Sequence, residues 1–237
     1  MSTDKKDEVN DTDERIIVAP GEVVAKGPQF LPGEGTKREG NEIIALRFGL
    51  LEKQDKLVRV IPLSGTYIPR AGNTVIGEVI DITINGWIID IESPYLAFLP
   101  IVECFKFVRG DLSEVLDVST VIVAKVKSVK TRSVELTMKE RGLKPLEGGM
   151  IIKINPTRVP RVIGRAGSMV KVIKEQTGCN IIVGQNGIIW LRGASVEDEL
   201  LAKEAIELIA EKPFTEGLTE KIKEFLIEKK KSRKTEK

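Results

Sequence analysis

The 237-residue sequence contains no histidine and only two cysteines. Histidine is the commonest general base of enzymes and the commonest metal ligand, so its absence weakens every catalytic hypothesis. Cys104 and Cys179 lie far apart, lack the spacing of metal ligands and have apolar neighbours, which favours two buried thiols over a disulfide. The carboxylates are scattered and form no paired set of metal ligands. We therefore expect a protein that is not an enzyme and that requires no metal or cofactor.

Long apolar runs are also absent. No window reaches the roughly 18 to 20 uninterrupted apolar residues of a membrane span. The N-terminal segment MSTDKKDEVNDTDER is charged where a signal peptide needs an apolar core. The sequence thus predicts a cytoplasmic protein without a membrane partner, and its hydrophobic fraction of 41% allows a core in each of two or three small domains.

The formal net charge is only +2, so the distribution of charge is more informative than the sum. Between Gly148 and Lys174 all charges have one sign, because several Lys and Arg residues occur there without any Asp or Glu. These are Lys153, Arg158, Arg161, Arg165, Lys171 and Lys174. A solvated helix face usually mixes both signs, so this basic window favours an anionic partner.

The first 143 residues divide into three segments. Residues 1–14 are polar without an apolar period, so they cannot offset their own ordering entropy and are predicted to be disordered. Residues 15–70 alternate short β-branched runs with Gly and Pro, which predicts a small all-β domain. Residues 71–143 contain five predicted strands, the pattern of an OB-type barrel. Two of these strands flank Asn85-Gly86, which predicts a hairpin with a type I′ turn.

Over residues 144–212 the apolar period changes from two to 3.6 residues. The predicted order is strand, helix, helix, strand, strand, helix, which is the βααββα order of a type I KH domain. A Gly-x-x-Gly turn, Gly164-Arg165-Ala166-Gly167, separates the first two helices. Ser168 is predicted to cap the second helix, and Gly178 to end it in the left-handed conformation. Ser195 opens the last helix of the domain with the capping spacing Ser-x-x-Asp.

Residues 213–237 carry apolar side chains at helical spacing before the basic end KKKSRK, which predicts a C-terminal docking helix with a basic tail. The predicted fold class is therefore multidomain, mainly β plus α+β. It combines an N-terminal β domain, a five-stranded OB-type barrel, a type I KH domain and the C-terminal helix.

The Gly164–Gly167 turn could cap a helix, cradle a nucleotide phosphate or clamp a nucleic-acid backbone. A Walker loop needs four residues between its glycines followed by Lys-Ser or Lys-Thr, and a dinucleotide fingerprint needs a further glycine after a strand. The sequence has neither. Glycines at both ends let a sugar-phosphate backbone approach the free amides of the next helix, and Arg165 adds a cation. The turn alone favours a simple link between helices, whereas the element order and the basic window favour RNA.

The predicted RNA-binding residues of the KH domain surround this turn. They are Arg158, Arg161, Ile163, Gly164, Arg165, Ala166, Gly167, Ser168 and Lys171. Unstacked bases are expected on an aliphatic trough, because KH domains hold about four nucleotides in this way. The trough is predicted from Val162, Ile163, Val170, Ile173 and the strand Ile181 to Val183.

The stretch GNTVIGEVIDITINGWIIDI resembles the start of an S1 RNA-binding domain, and the resemblance continues through LAFLP to VELTM. Most S1 domains carry aromatic residues on either side of the hairpin glycine and a histidine after the third strand. The matching positions here are Asn85, Ile88 and Pro100, so base stacking by these residues is not expected.

Two other features of the barrel sequence bear on RNA. Trp87 shares a predicted hairpin face with Ile82 and Ile84, which favours a core tryptophan over a stacking platform. A basic edge is the predicted S1 contact with RNA, with a solvated barrel edge as the alternative. Its residues are Lys125, Lys127, Lys130 and Arg132.

The segments PGE, GEGT and YIPRAGNTVIGEV, the S1 pattern, and a KH domain with GQNG between its second and third strands occur in this order. In this combination the sequence resembles the S1 and KH cap subunits of the archaeal RNA exosome. The resemblance implies that Gly184, Asn186 and Gly187 of the GQNG turn are structural. It also implies three copies on a hexameric ring of phosphorolytic ribonuclease subunits, with the N-terminal domain docked on the ring.

The same resemblance implies a division of labour in which catalysis belongs to the ring. The cap would bind single-stranded, adenine-rich RNA and guide its 3′ end inward, and other cap subunits would be further partners. Two alternatives remain open from the sequence. The chain could be a free-standing S1/KH RNA-binding protein, or a scaffold that mainly contacts proteins.

Overall fold

The structure is a computed structural model that describes residues 16–106, 110–130, 133–211 and 217–235, with side chains described up to Lys230. The predicted disordered tail lies outside these residues. The chain forms two compact units, which divide between Ser64 and Gly65. Among the described helices, none has the length and apolar character needed to cross a membrane.

The first unit is entirely β in its described part. Its strands are β1 (Ile17–Val18), β2 (Val23–Lys26), β3 (Leu31–Pro32), β4 (Thr36–Glu39), β5 (Glu42–Ala45), β6 (Gly49–Gln54) and β7 (Leu57–Pro62). They form a four-stranded sheet in the order β1-β6-β7-β3 and a three-stranded sheet in the order β2-β5-β4. Small aliphatic residues such as Val24, Ile43 and Val60 fill the core between these strands. The predicted N-terminal β domain is confirmed.

The second unit begins with a closed barrel. Its strands are β8 (Thr74–Thr83), β9 (Gly86–Asp90), β10 (Ala97–Pro100), β11 (Val121–Lys130) and β12 (Ser133–Thr137). The barrel closes in the order β8-β9-β10-β12-β11 and back to β8, with β10 and β12 parallel and the other pairs antiparallel. The five-stranded OB-type barrel is therefore confirmed. Trp87 is a core residue as predicted: it is buried, and its indole N–H donates to the Leu116 carbonyl at 2.8 Å.

The first hairpin of the barrel differs from the prediction at its turn. Thr83 pairs with Gly86, so the turn residues are Ile84 and Asn85, and Asn85 does not adopt a positive φ. The predicted type I′ turn at Asn85-Gly86 is wrong. Gly86 is required because a Cβ there would lie 2.1 Å from the Leu99 carbonyl oxygen of the neighbouring strand. Ile84 is 92% exposed at the tip, so it does not share the core face of Trp87.

The KH domain follows a short strand, β13 (Pro145–Leu146), that pairs with β11. Its elements are β14 (Met150–Lys153), α1 (Val159–Ile163), α2 (Ser168–Thr177), β15 (Asn180–Val183), β16 (Ile188–Arg192) and α3 (Val196–Glu211). The sheet order β14-β16-β15 is antiparallel throughout, and the βααββα order is confirmed. The predicted docking helix is present as α4 (Leu218–Thr235), which buries Ile222 and Leu226 in the KH core.

The helix caps agree with the sequence at two of three positions. Ser195 accepts a hydrogen bond from the Asp198 N–H at 3.2 Å and donates to its carboxylate at 2.9 Å, so α3 begins with the predicted cap. Gly178 ends α2 with φ 74°, as predicted. Ser168 is not the cap of α2. Gly167 holds that position in the left-handed conformation, and Ser168 is the first helical residue.

Candidate nucleic-acid interface

The two glycines of the Gly164–Gly167 turn have different structural roles. Gly164 has φ 75°, and a Cβ there would lie 2.8 Å from both the N and the Cβ of Met169. Glycine at this position is therefore required for α1 to meet α2. Gly167 has φ 77° but faces open space, so only its backbone conformation requires glycine. The turn thus joins two helices at one end and leaves accessible backbone at the other.

Ala166 lies at the exposed tip of this turn in the left-handed region, with φ 52° and ψ 31°. A non-glycine residue in this region has a conformational cost of about 1 kcal/mol or more, because its Cβ crowds the backbone. Such strain persists where the surrounding structure imposes it, and it is concentrated at ligand clamps and active sites. The tip is therefore a structural candidate for ligand binding.

The start of α2 is electrostatically suited to an anion. No side chain caps this end, and the first turn contains no acidic residue. The partial positive charge of the helix dipole at this end is therefore not neutralised by a side chain, and it attracts phosphate groups. The exposed Arg165 lies directly before this end and adds a full charge.

The remaining predicted KH residues lie around the turn with different exposure. Arg158 precedes α1 and Arg161 lies within it, both partly buried, and Ile163 is half-buried at the end of α1. Lys171 is exposed on α2 and lies 3.8 Å from the carboxylate of Glu175, one helical turn away. These residues lie near the turn because they are close to it in sequence. By contrast, Lys153 of the basic window forms an ion pair with Glu92 of the barrel.

The predicted aliphatic trough is narrower than the sequence indicated. Val162, Ile173 and Ile181 are buried in the KH core and cannot contact a base. Ile182 faces the other side of the sheet and packs against the barrel, because side chains alternate along a strand. The half-buried Ile163, Val170 and Val183 remain as the apolar surface beside the turn.

The predicted basic edge of the barrel is largely neutralised by ion pairs. Lys125 binds the Glu140 carboxylate at 2.8 Å, and Lys127 binds Glu103 at 2.9 Å and Glu135 at 3.2 Å. The hydrogen bond that Lys127 donates to Glu103 raises the pKa of Lys127. Glu135 and Glu140 reach β11 through the β11–β12 hairpin, and Glu103 reaches it from the segment after β10. Lys130 ends β11, and Arg132 lies outside the described residues.

The barrel also carries an aromatic residue that the sequence argument did not select. Phe98 is half-buried on the outer face of β10, where it pairs laterally with Ile88 of β9 and Glu135 of β12. The strand alternation in LAFLP contained this signal, because Ala97 and Leu99 point into the core and Phe98 therefore points outward. Aromatic side chains on the outer face of OB-type barrels can stack on bases.

The GQNG turn is buried between the KH sheet and the barrel. The Asn186 side-chain N–H groups donate to the Ile76 carbonyl at 2.7 Å and the Ile91 carbonyl at 3.0 Å, and its oxygen accepts from the Ile76 N–H at 3.2 Å. A Cβ at Gly184 would lie 2.9 Å from the Ile76 nitrogen, and one at Gly187 would lie 2.3 Å from the Ile154 carbonyl oxygen. These contacts hold Gly184, Asn186 and Gly187 in buried positions, whereas the Gln185 side chain is exposed.

Comparison with known proteins gives two matches to family models. Residues 15–64 match the N-terminal domain of the exosome RNA binding protein RRP4, and residues 149–197 match a KH domain. A crystal structure described as an exosome complex RNA-binding protein matches with a TM-score of 0.64 and 40% identity. It aligns with 71% of this chain and 99% of that chain.

The curated relatives agree with these matches. The exosome complex component Rrp4 of Thermococcus kodakarensis is 42% identical over 90% of this chain and 85% of its own length. The Pyrococcus horikoshii protein of the same name is 44% identical over 90% of this chain and 83% of its own length. That of Methanothermus fervidus is 42% identical over 90% of this chain and 96% of its own length. The chain therefore belongs to the Rrp4 family of exosome components.

Proposed function

We propose that the chain is a non-catalytic, RNA-binding cap subunit of an archaeal exosome. In this role it binds single-stranded, adenine-rich RNA and guides the 3′ end into a phosphorolytic ring for 3′-to-5′ degradation. The observation that carries the proposal is the uncapped start of α2, preceded by the strained, exposed Arg165-Ala166 tip. The names of its relatives, exosome complex component Rrp4, support the assignment of the chain to an exosome.

A single strand fits the turn better than a duplex does. The phosphate backbone approaches the positive end of α2, while the half-buried Ile163, Val170 and Val183 offer an apolar surface to unstacked bases. Bases paired within a duplex do not present their faces to such a surface. The aliphatic surface provides few hydrogen bonds, so base preference is modest and depends on how strongly each base packs on it.

Three copies on one ring give the clamp its strength. A non-specific contact of one module with nucleic acid is typically only about 10⁻⁴ to 10⁻⁶ M at physiological salt. Linked modules gain roughly 10² to 10⁴ in avidity when one strand engages them together. Three cap copies around a central entrance therefore hold a 3′ end long enough for the ring to degrade it.

The N-terminal unit has a surface suited to docking on the ring. The register of its four-stranded sheet places Ile17, Leu50 and Ile61 side by side, and Ile17 and Ile61 are exposed. Phe48, just before β6, is exposed as well. Exposed apolar groups next to one another favour a protein contact over solvent. We assign this face to the ring, and catalysis to the ring subunits.

RNA binding is tested by fluorescence anisotropy with end-labelled A-rich and U-rich oligonucleotides. In the Arg165→Asp/Ala166→Asp variant we expect affinity to fall by at least about tenfold, which corresponds to about 1.4 kcal/mol. Asp tolerates the left-handed conformation of Ala166, so the fold is retained. The control is Lys223→Asp, which reverses an exposed charge on α4. Unchanged affinity in the double variant would remove the turn from the RNA site.

Assembly is tested by capture of the tagged chain from native extract at moderate salt with nuclease added. Recovery of two phosphorolytic ribonuclease subunits in stoichiometric amounts supports the cap assignment. Recovery of the chain alone would indicate a free-standing RNA-binding protein. Negligible RNA affinity at low salt, together with recovery of the ring, would indicate a scaffold.

A further inference from the structure

A cavity of about 710 Å³ lies between the barrel and the KH sheet. Three stretches of chain form it: residues 105–120 of the barrel in their described part, residues 144–147 of the linker, and the end of β16. None of the residues of the Gly164–Gly167 turn lines it. Its volume falls within the range of roughly 300 to 1,000 Å³ that is usual for small-ligand sites.

The apolar part of the cavity is formed by rings and aliphatic side chains. Trp190 and Leu146 are buried in the contact between barrel and KH sheet, and Phe105 is 37% exposed at the opening. The Trp190 indole N–H donates to the Gly148 carbonyl at 2.7 Å, so this polar atom is already satisfied. Because Trp190 is only 4% exposed, the ring surface that remains available to a ligand is that of Phe105, which suits a flat aromatic group.

Three cations from separate segments line the same cavity. They are Lys106 after β10, Lys144 in the linker and Arg192 at the end of β16. Arg192 is held in place because its Nη1 donates to the Glu147 carbonyl at 3.0 Å, and the other guanidinium N–H groups remain for an anion. Lys106 Nζ lies 5.6 Å from the centroid of the Phe105 ring, so charge and ring surface are adjacent.

Three carboxylates limit the negative charge of a ligand that the cavity can bind. Glu114, Asp117 and Glu147 also line it, so its acidic and basic side chains balance. A run of phosphates would meet these carboxylates, whereas one phosphate can be held by the cations alone. Carboxylates also accept hydrogen bonds from ribose hydroxyls and from the exocyclic amino groups of bases. We propose that this cavity binds one nucleotide, with its base on the Phe105 ring, its phosphate at the cations, and its hydroxyl or amino groups at the carboxylates.

The nucleotide has two sources with the same chemistry, a unit of an RNA strand and a free nucleoside monophosphate. The strand as a source rests on the proposed RNA-binding function. The cavity lies at the end of β16 that carries Arg192. At the start of β16, Ile188 pairs with Lys153 of β14, and the chain continues from Lys153 toward the Gly164–Gly167 turn. A strand that occupies both sites therefore runs across the contact between KH sheet and barrel.

The two tryptophans give a direct test in the intact chain. Trp190 lines the cavity, and Trp87 is enclosed in the barrel core. We expect titration of the ¹⁵N-labelled chain with AMP, and separately with an A-rich oligonucleotide, to shift the Trp190 indole NMR signal and leave that of Trp87 in place. The Trp190→Phe variant assigns the signal. The titration is repeated in the Arg165→Asp/Ala166→Asp variant, in which the shift persists if the cavity binds directly.

A charge variant connects the shift to the cavity. Lys144 is exposed, so Lys144→Glu preserves the fold, and we expect it to weaken the AMP-induced shift at least about tenfold in apparent Kd. The control is Lys223→Glu on α4, which leaves the shift unchanged. A shift with both AMP and the oligonucleotide supports a site for either source, and a shift with the oligonucleotide alone supports a unit of the strand.

Failure of this inference is distinguishable from failure of the proposed function. If the oligonucleotide moves the Gly164 and Gly167 amide signals but neither ligand moves Trp190, the cavity proposal is overturned while RNA binding stands. If neither set of signals moves, both are overturned. If an acidic peptide moves Trp190 and AMP does not, the cavity binds a protein segment and the nucleotide proposal is wrong.

Discussion

The side-chain amide of Asn186 in the KH domain binds both the N–H and the carbonyl of Ile76 in the barrel, at 3.2 and 2.7 Å. A single asparagine thus takes the place of a neighbouring strand for this residue of β8. The preceding residue of the turn, Gln185, contributes through its backbone, with its N–H donating to the Thr74 carbonyl at 2.8 Å. The orientation of the KH clamp relative to the barrel depends on this junction.

Replacing Asn186 by Ala leaves Ile76 N, Ile76 O and Ile91 O without their side-chain partner in a buried position. Each buried polar group left unsatisfied costs about 1 to 3 kcal/mol, with part of this recovered by local rearrangement. We expect Asn186→Ala to lower the free energy of unfolding of the second unit by roughly 2 to 4 kcal/mol. Urea denaturation measures it. Gln185→Ala is the matched control, since the exposed Gln185 side chain makes none of these bonds, and an equal loss in both variants would contradict the assignment.

The strain at Ala166 predicts a substitution that stabilises the chain. Glycine adopts the left-handed region without the steric cost of about 1 to 2 kcal/mol that alanine has, but it also increases the entropy of the unfolded chain by about 0.4 to 1 kcal/mol. We expect Ala166→Gly to raise the free energy of unfolding by about 0.5 to 1 kcal/mol.

Thermal or urea unfolding measures this gain. Ala194→Gly is the comparison, because Ala194 is exposed and does not adopt a positive φ, so only the entropic loss applies there. The same sign in both variants would show that Ala166 is not strained.

The elements that the sequence predicted well are those whose signal is local. The 3.6-residue period of SMVKVIKEQT and the left-handed Gly178 fix α2 within ten residues of chain. The Ser195-x-x-Asp198 spacing likewise predicts the start of α3. Neighbours in sequence decide these features, so the pattern alone was sufficient.

The errors concern features that distant residues decide. Lys127 has no acidic neighbour within its own strand, but Glu103, 24 residues away in sequence, reaches it from the segment after β10. The sequence predicts Gly86 as a turn residue, whereas glycine is required there because of the Leu99 carbonyl on another strand. Val162 is predicted to be exposed on the trough but is buried, because helices distant in sequence pack over it in the KH core.

The ion pairs at β11 predict that the barrel edge can be made more attractive to RNA. Glu103 holds Lys127, and its own pKa is lowered first by the hydrogen bond from Thr137 and then by the Lys127 ammonium. Glu103→Gln keeps the shape but removes the charge, so we expect severalfold tighter binding of single-stranded RNA at low salt, measured by fluorescence anisotropy. Glu224→Gln removes one charge at an exposed position on α4, away from the barrel edge. If both variants tighten binding equally, net charge and not Lys127 is responsible.

Tyr67 gives the second unit a dependence on alkaline pH. Burial raises the pKa of this tyrosine to about 12, and its hydroxyl donates to Asn73 at 2.9 Å. An unfolded tyrosine has a pKa of about 10. Because the folded pKa is the higher one, the stabilisation is complete below pH 10 and is lost as the pH rises toward 12.

We expect the free energy of unfolding to fall by up to about 2 kcal/mol over that interval from this group. Tyr67→Phe removes this part of the pH dependence, and Tyr95→Phe retains it. A profile that is the same in Tyr67→Phe and in the unsubstituted chain would contradict the prediction.

Arg165 provides the sharpest test of how the turn binds RNA. If its guanidinium neutralises one phosphate, removing it reduces the number of counterions released on binding. For single strands the slope of log K against log salt changes by about 0.7 for each phosphate contact. We therefore expect Arg165→Ala to make the slope shallower by about 0.7, measured by anisotropy over a series of salt concentrations. Lys223→Ala on α4 removes the same charge away from the turn and leaves the slope unchanged. Weaker binding with an unaltered slope would mean that Arg165 positions the turn without touching phosphate.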